Sequence, residues 1–106
     1  MIIQIRAKGV HIGDDSKDYI EKKLETLKKY YSTIDTDQSQ TTITISANTE
    51  KSGAAINVEV RIVAGKKTFM AEEKATTIEE GVDLVHDKLK TQLQRYKEKK
   101  VDQHAE

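Results

Sequence analysis

The chain has 106 residues, 36% hydrophobic and 34% charged, enough for one core built from single faces of its elements and too few for two domains. It has no cysteine, which excludes disulfides, thiolate metal sites and a cysteine nucleophile, and it has no apolar run near the roughly 20 residues of a membrane span. Its 18 Lys and Arg balance 18 Asp and Glu, so bulk charge gives no reason for a polyanionic partner and only the distribution of charge can.

The N-terminal MIIQIRAKG enters directly into alternation, without the apolar stretch and cleavage site of a secretory signal, which favours the cytoplasm. Ile3, Ile5 and Ala7 alternate with Gln4, Arg6 and Lys8, the period of a strand with one wet face. Gly13-Asp14-Asp15 supplies capping chemistry and negative charge for a helix from about Asp15 to Tyr31, whose apolar stripe is Ile20, Leu24, Leu27 and Tyr31. After the polar segment Ser32 to Gln40, Ile43, Ile45 and Ala47 alternate with Thr42, Thr44 and Ser46 in a second strand. Turn formers from Asn48 to Gly53 precede the clearest strand, Ile56, Val58, Val60 and Ile62 against Asn57, Glu59 and Arg61. Ala64-Gly65-Lys66 reverses it into a fourth strand, about Thr68 to Glu73.

Thr76 and Thr77 each precede a glutamate by three residues, Glu79 and Glu80, giving two overlapping capping-box candidates. The following stripe of Ile78, Val82, Val85, Leu89, Leu93 and Tyr96 defines a helix to about Lys99. The expected fold is therefore α+β, a two-layer β-α-β-β-β-α arrangement with both helices on one face of a four-stranded mixed sheet. Residues 1–100 form the domain, and 101–106 are expected to fray.

No catalytic constellation emerges. His11, His86 and His104 have no second ligand at metal-binding spacing and are expected at the surface, with no metal or other cofactor. The pairs Glu72-Glu73 and Glu79-Glu80 point to opposite sides of a strand or serve a helix start, and Gly65-Lys66-Lys67 lacks the context of a phosphate loop. The chain is not expected to be an enzyme or to take a small-molecule substrate. Charge is more informative: His86 to Lys100 carries Lys88, Lys90, Arg95, Lys97, Lys99 and Lys100 against Asp87 and Glu98, a net of +4, and Lys17 to Tyr31 carries a net of +2. Acidic residues dominate elsewhere. Two basic helices side by side make an RNA-backbone footprint, but lysines on solvated helix faces give the same pattern, so charge alone is compatible with both. Tyr31 and Tyr96 fall on apolar stripes and are assigned to the core, leaving Tyr30 as the helix-end tyrosine open to stacking on a base.

Val10-His11-Ile12, then Asp18-Tyr19-Ile20-Glu21-Lys22-Lys23-Leu24 and Leu27-Lys28-Lys29-Tyr30-Tyr31, resemble the first-helix region of the ribosome hibernation promoting factor, or ribosome-associated inhibitor (protein Y), family. Met70-Ala71-Glu72-Glu73, Val82 to Leu89, Gln92-Leu93 and Arg95-Tyr96-Lys97 are similar to that family's last strand and last helix. The resemblance covers nearly the whole chain in order and spacing, and the family's β-α-β-β-β-α fold, similar in layout to double-stranded-RNA-binding domains, agrees with the reading above. It implies a ribosome-binding domain that occupies the small ribosomal subunit and its rRNA near the decoding centre, blocking messenger and tRNA sites and preserving inactive ribosomes under stress. It also implies phosphate contacts at Lys23, Lys88 and Arg95 first, and at Lys22, Lys29, Lys97 and Lys99 second.

The chain departs from the family where Thr26, Thr91 and Gln94 replace basic residues, Glu79 an aromatic one, Ser16 an apolar one and Thr77 an acidic one. Ending just after the last helix, it resembles a short form without the C-terminal dimerisation domain, expected to be a monomer. Two rivals differ in class. One is a general structured-RNA-binding module not tied to the ribosome, and the other is a protein–protein interaction domain using the wet sheet face of Thr42, Thr44, Asn57, Glu59 and Arg61.

Overall fold

The alternation of the four apolar-polar segments produces one sheet. The computed structural model describes residues 2–30, 39–48 and 55–104, with side chains as far as Tyr96. In chain order its elements are β1 (Ile2–Lys8), α1 (Asp14–Glu25), a 3-10 turn (Thr26–Lys29), β2 (Gln40–Ala47), β3 (Ile56–Ala64), β4 (Lys67–Ala75) and α2 (Ile78–His104). The strands lie in the order β1-β2-β3-β4. β1 runs parallel to β2, as the intervening helix allows, and the other pairings are antiparallel.

The register puts every strand's apolar set on one face. Ile43 lies opposite Val60, which lies opposite Ala71, and Ile62 lies opposite Phe69. Onto this face the helices lay Ile20, Leu24 and Leu27 from the first and Val82, Val85, Leu89 and Leu93 from the second, all fully buried in one core. Each such side chain contributes roughly 1.5–3 kcal/mol relative to exposure. β1 is the least covered strand: Ile3 and Ile5 are half-buried, and Ala7, expected inward, is exposed. Thr41 is also fully buried on the inner face, and its hydroxyl finds no hydrogen-bond partner among the described residues.

Two glycines answer to geometry. Gly65 has φ +61° in the two-residue connection of β3 to β4, where Ala64 pairs with Lys67 and a tight hairpin needs a positive φ at its first central residue. At Gly81, α2 comes so close to the sheet that a Cβ would sit 2.5 Å from Val58 Cγ2.

The helix ends show what pattern reading blurred. Of the two capping boxes, Thr77 makes the cap, accepting from the Glu80 backbone N–H at 3.2 Å, while the Thr76 hydroxyl donates to the Glu80 carboxylate at 3.1 Å. Glu79 serves elsewhere: it accepts from the Ser16 hydroxyl at 2.8 Å. The polar residues that replace an apolar and an aromatic one in the family resemblance are thus each other's partners, tying α1 to α2. The first helix was expected to run unbroken to Tyr31, a residue outside the described ones, but it tightens into a 3-10 turn at Thr26. There the Thr26 hydroxyl donates to the Lys23 carbonyl at 2.7 Å, the local side-chain competition that disfavours threonine inside helices. α2 continues to His104, past the end of its apolar stripe.

Candidate nucleic-acid interface

Because α2 lies across the sheet with α1 on one side and β4 on the other, its surface lysines divide between two flanks. The flank toward α1 is an open groove of about 450 Å³, lined by Tyr19, Lys22, Lys23, Thr26, Lys29, Tyr30 and His86. Lys90 joins it one helical turn beyond His86, its Nζ 5.2 Å from the centre of the Tyr30 ring. Lys29 reaches the same ring from the 3-10 turn, also at 5.2 Å. Tyr30 packs against the core and meets His86 edge-on at 6.3 Å, so its position is fixed from below.

His86 corrects an expectation. It is not a surface histidine but only 7% exposed, wedged between the helices. Its Nε2 lies 2.7 Å from Thr26 Oγ1. That hydroxyl also donates to the Lys23 carbonyl, so it bridges the turn of the first helix to the imidazole, whose other nitrogen, Nδ1, lies 3.4 Å from the Asp87 carboxylate. Thr26, where the family resemblance leads one to expect a cation, is therefore a positioning group for the groove's histidine.

A latch closes one end of the groove. The Tyr19 hydroxyl donates to Asp83, which also pairs with Lys23 at 3.3 Å. Bonding to the carboxylate, with burial and the charge of Asp83 and Glu79, pushes the Tyr19 hydroxyl up to about 12. The Tyr19 bond, reinforced by Lys23, holds the Asp83 carboxyl below its ordinary value. Lys23 is thus already neutralised, whereas Lys22, Lys29 and Lys90 have no carboxylate partner among the described residues.

The flank toward β4 is built differently. Lys88 pairs with Glu73 and lies 3.4 Å from the Glu72 carbonyl, and the Gln92 amide donates to the Met70 carbonyl at 2.6 Å. These side chains fasten α2 to the edge strand. Arg95, seven residues beyond Lys88 and hence on the same flank, is exposed. The structure therefore gathers Lys22, Lys23 and Lys29 at one place and separates them from Lys88 and Arg95; the side chains of Lys97 and Lys99 lie outside the described residues.

Sequence reasoning passed over Lys90, Tyr19 and His86 as site residues. The signal was present, since Asp83, His86 and Lys90 recur at spacings of three and four along α2, but which flank of that helix meets α1 is a tertiary fact. Lys67, at the hairpin, lies over the Phe69 and Tyr96 rings at 5.8 and 5.2 Å. Among the described residues no cluster of three or more His, Asp or Glu could hold a metal ion, and no helix is long and apolar enough to cross a membrane.

Comparison with known proteins agrees with this architecture. The chain is 28% identical over 94 residues to a ribosome hibernation promotion factor of Staphylococcus aureus, an overlap covering 89% of this chain and 47% of that protein. It is 30% identical over 100 residues to a ribosome hibernation promotion factor of Picosynechococcus, covering 93% and 50%. The chain thus spans about half the length of the curated relatives it matches. Its fold is similar to the crystal structure of the N-terminal domain of Thermus thermophilus Protein Y, with a TM-score of 0.73, 24% identity and coverage of 91% and 99%. It is likewise similar to a ribosomal subunit interface protein from Coxiella burnetii, with a TM-score of 0.72, 27% identity and coverage of 92% and 98%. Residues 3–101 match the family described as Sigma 54 modulation protein / S30EA ribosomal protein, and the chain belongs to that family.

Proposed function

We propose that residues 1–100 form a ribosome-binding domain that docks on the small ribosomal subunit through its rRNA near the decoding centre, blocks messenger and tRNA sites, and keeps ribosomes inactive under stress. The observation that carries this reading is the cationic groove of α1 and α2, in a chain whose relatives are named ribosome hibernation promotion factors. Lys22, Lys29 and Lys90 offer phosphate contacts without first losing a carboxylate, while Lys23 and Lys88 exchange Asp83 and Glu73 for phosphates. Arg95 adds a second point of attachment on the β4 flank. The domain acts in the cytoplasm as a monomer, by occupation rather than catalysis, with no small-molecule substrate.

The test is co-sedimentation of the pure protein with small subunits in graded salt. Saturable binding that weakens steeply as salt rises is expected, each phosphate contact adding about 0.7–0.9 to the steepness of the fall of log affinity with log salt. Binding unchanged from low to high salt would sink the electrostatic mechanism. In cell-free translation, inhibition should be relieved by excess messenger and initiator tRNA, and inhibition that both leave untouched would mean another mode of action.

A further inference from the structure

Phosphate contacts alone leave one feature of the groove unused, its aromatic floor. Tyr19, Tyr30 and His86 line a space of about 450 Å³ whose rim carries Lys22 and Lys29, with Lys90 reaching over Tyr30 from α2. That volume lies within the roughly 300–1,000 Å³ of sites that enclose small ligands. The bases of an A-form duplex are stacked inside it, so a duplex could rest only on the lysine rim and would leave the floor uncovered. An unpaired nucleotide uses both parts, since its base has an apolar face for an aromatic ring and its phosphate an attraction for lysine.

The Tyr30 ring is the point where the two parts meet. It holds Lys29 from the 3-10 turn and Lys90 from α2 at the same 5.2 Å, so one ring gathers two ammonium groups from separate elements. At an exposed site such cation–ring contacts are each worth only a factor of about five or less, and both lysines have long flexible stems that can swing from the ring to a phosphate beside it. We infer that the groove between α1 and α2 is a subsite for one unpaired nucleotide of RNA, its base seated on Tyr30 and its phosphate held by Lys29 and Lys90. This rests on the RNA-binding reading above and adds the kind of RNA that the groove accepts.

The experiment compares a single-stranded RNA of about 10 nucleotides, carrying thiouridine, with a duplex of the same length at one low salt concentration. The single strand should bind the wild-type protein about tenfold tighter or more, and illumination should cross-link thiouridine to Tyr19, Tyr30 or His86. Tyr30→Leu should abolish the preference, and Tyr30→Phe, which keeps the ring, should retain it. Equal affinity for the duplex, or cross-links that are absent or fall outside the groove, overturns the inference; the cross-link, read on the wild-type chain, decides even where Tyr30→Leu fails to fold. Sedimentation with small subunits separates the two levels. Ribosome binding without single-strand preference defeats only the subsite, and single-strand preference without ribosome binding defeats only the ribosomal assignment.

Discussion

The two flanks of α2 carry similar basic side chains, and Lys88 on one is held differently from Lys29 and Lys90 on the other. Toward β4, Lys88 is paired with Glu73 and rests on the edge strand, so its charge is largely committed to fastening the helix to the sheet. Toward α1, Lys29 and Lys90 lean on a tyrosine ring, an attachment that restrains them without cancelling their charge. A count of lysines treats the flanks alike. What differs is the free energy needed to present particular cations to a phosphate: Lys88, like Lys23 across the helix, must exchange a carboxylate, whereas Lys29 and Lys90 leave only a ring contact.

The largest expected effect tests that difference directly. Lys29→Ala with Lys90→Ala should weaken small-subunit binding about 100-fold at low salt, taking about 1.4 kcal/mol for each charge-assisted contact. Lys88→Ala with Arg95→Ala removes the same two charges and should cost about tenfold, because Lys88 begins neutralised. Equal losses measured by sedimentation would erase the distinction between the flanks. A control at the hairpin should change only Lys66, since Lys67 packs on Phe69 and Tyr96.

Next in size is a change in the support that both flanks share. Gly81→Ala gains about 1 kcal/mol of helix propensity, but its Cβ would fall 2.5 Å from Val58 Cγ2, and Val58 is buried mid-sheet with a stiff branched side chain. Overpacking of this kind costs roughly 1–3 kcal/mol, so denaturant unfolding should show a net loss of about 1 kcal/mol. An unchanged midpoint would mean that α2 can lift from the sheet without strain. A smaller effect sharpens the comparison from the other side. Glu73→Gln should free Lys88 and tighten small-subunit binding about threefold, with the salt slope steeper by about one unit. No gain would show that the backbone carbonyl of Glu72 alone holds Lys88 down.

The fold was legible because each strand alternates and each helix shows one stripe, so the inward residues of the pattern, such as Ile43, Ile45, Val58, Val60, Val85 and Leu89, are the ones fully buried, while Ala7 and Ala47 at the strand ends, expected inward, are exposed. The candidate site was legible in part. Lys22, Lys23 and Lys29 stand on one helix and reach one groove, but Lys90 belongs there only because α1 packs against that flank of α2. His86 read as a surface residue because its burial depends on a helix 60 positions earlier in the chain, where Thr26 supplies its hydrogen bond. The same limit hid the Ser16–Glu79 contact: each residue alone looks like a departure, and only their approach makes them a pair.

The smallest expected effect concerns the latch that separates Lys23 from the freer lysines. Tyr19 and Asp83 bridge α1 to α2, and both meet solvent, so their contribution to stability is screened and small. Its pH dependence still has a definite sign at each end. Asp83 has a folded-state value below its ordinary 3.8, so its contribution is present above that value and is lost as pH falls through the lower, folded one. Tyr19 is raised from 10.0 to about 12, so its contribution is complete below 10 and is lost as pH rises from there through about 12. Between these limits the latch adds a constant amount. Thermal unfolding of wild type and Tyr19→Phe should therefore differ by a constant shift from about pH 5 to 9, and the two curves should converge above pH 10, where the wild type alone has a phenol to ionise. Toward acid they should also converge, since protonated Asp83 has no charge to reward the phenolic proton. Curves that stay parallel through both limits would mean that the short contact between Tyr19 and Asp83 carries no charge-dependent stability, and that the helices are held at this end by Ser16, Glu79 and apolar packing alone.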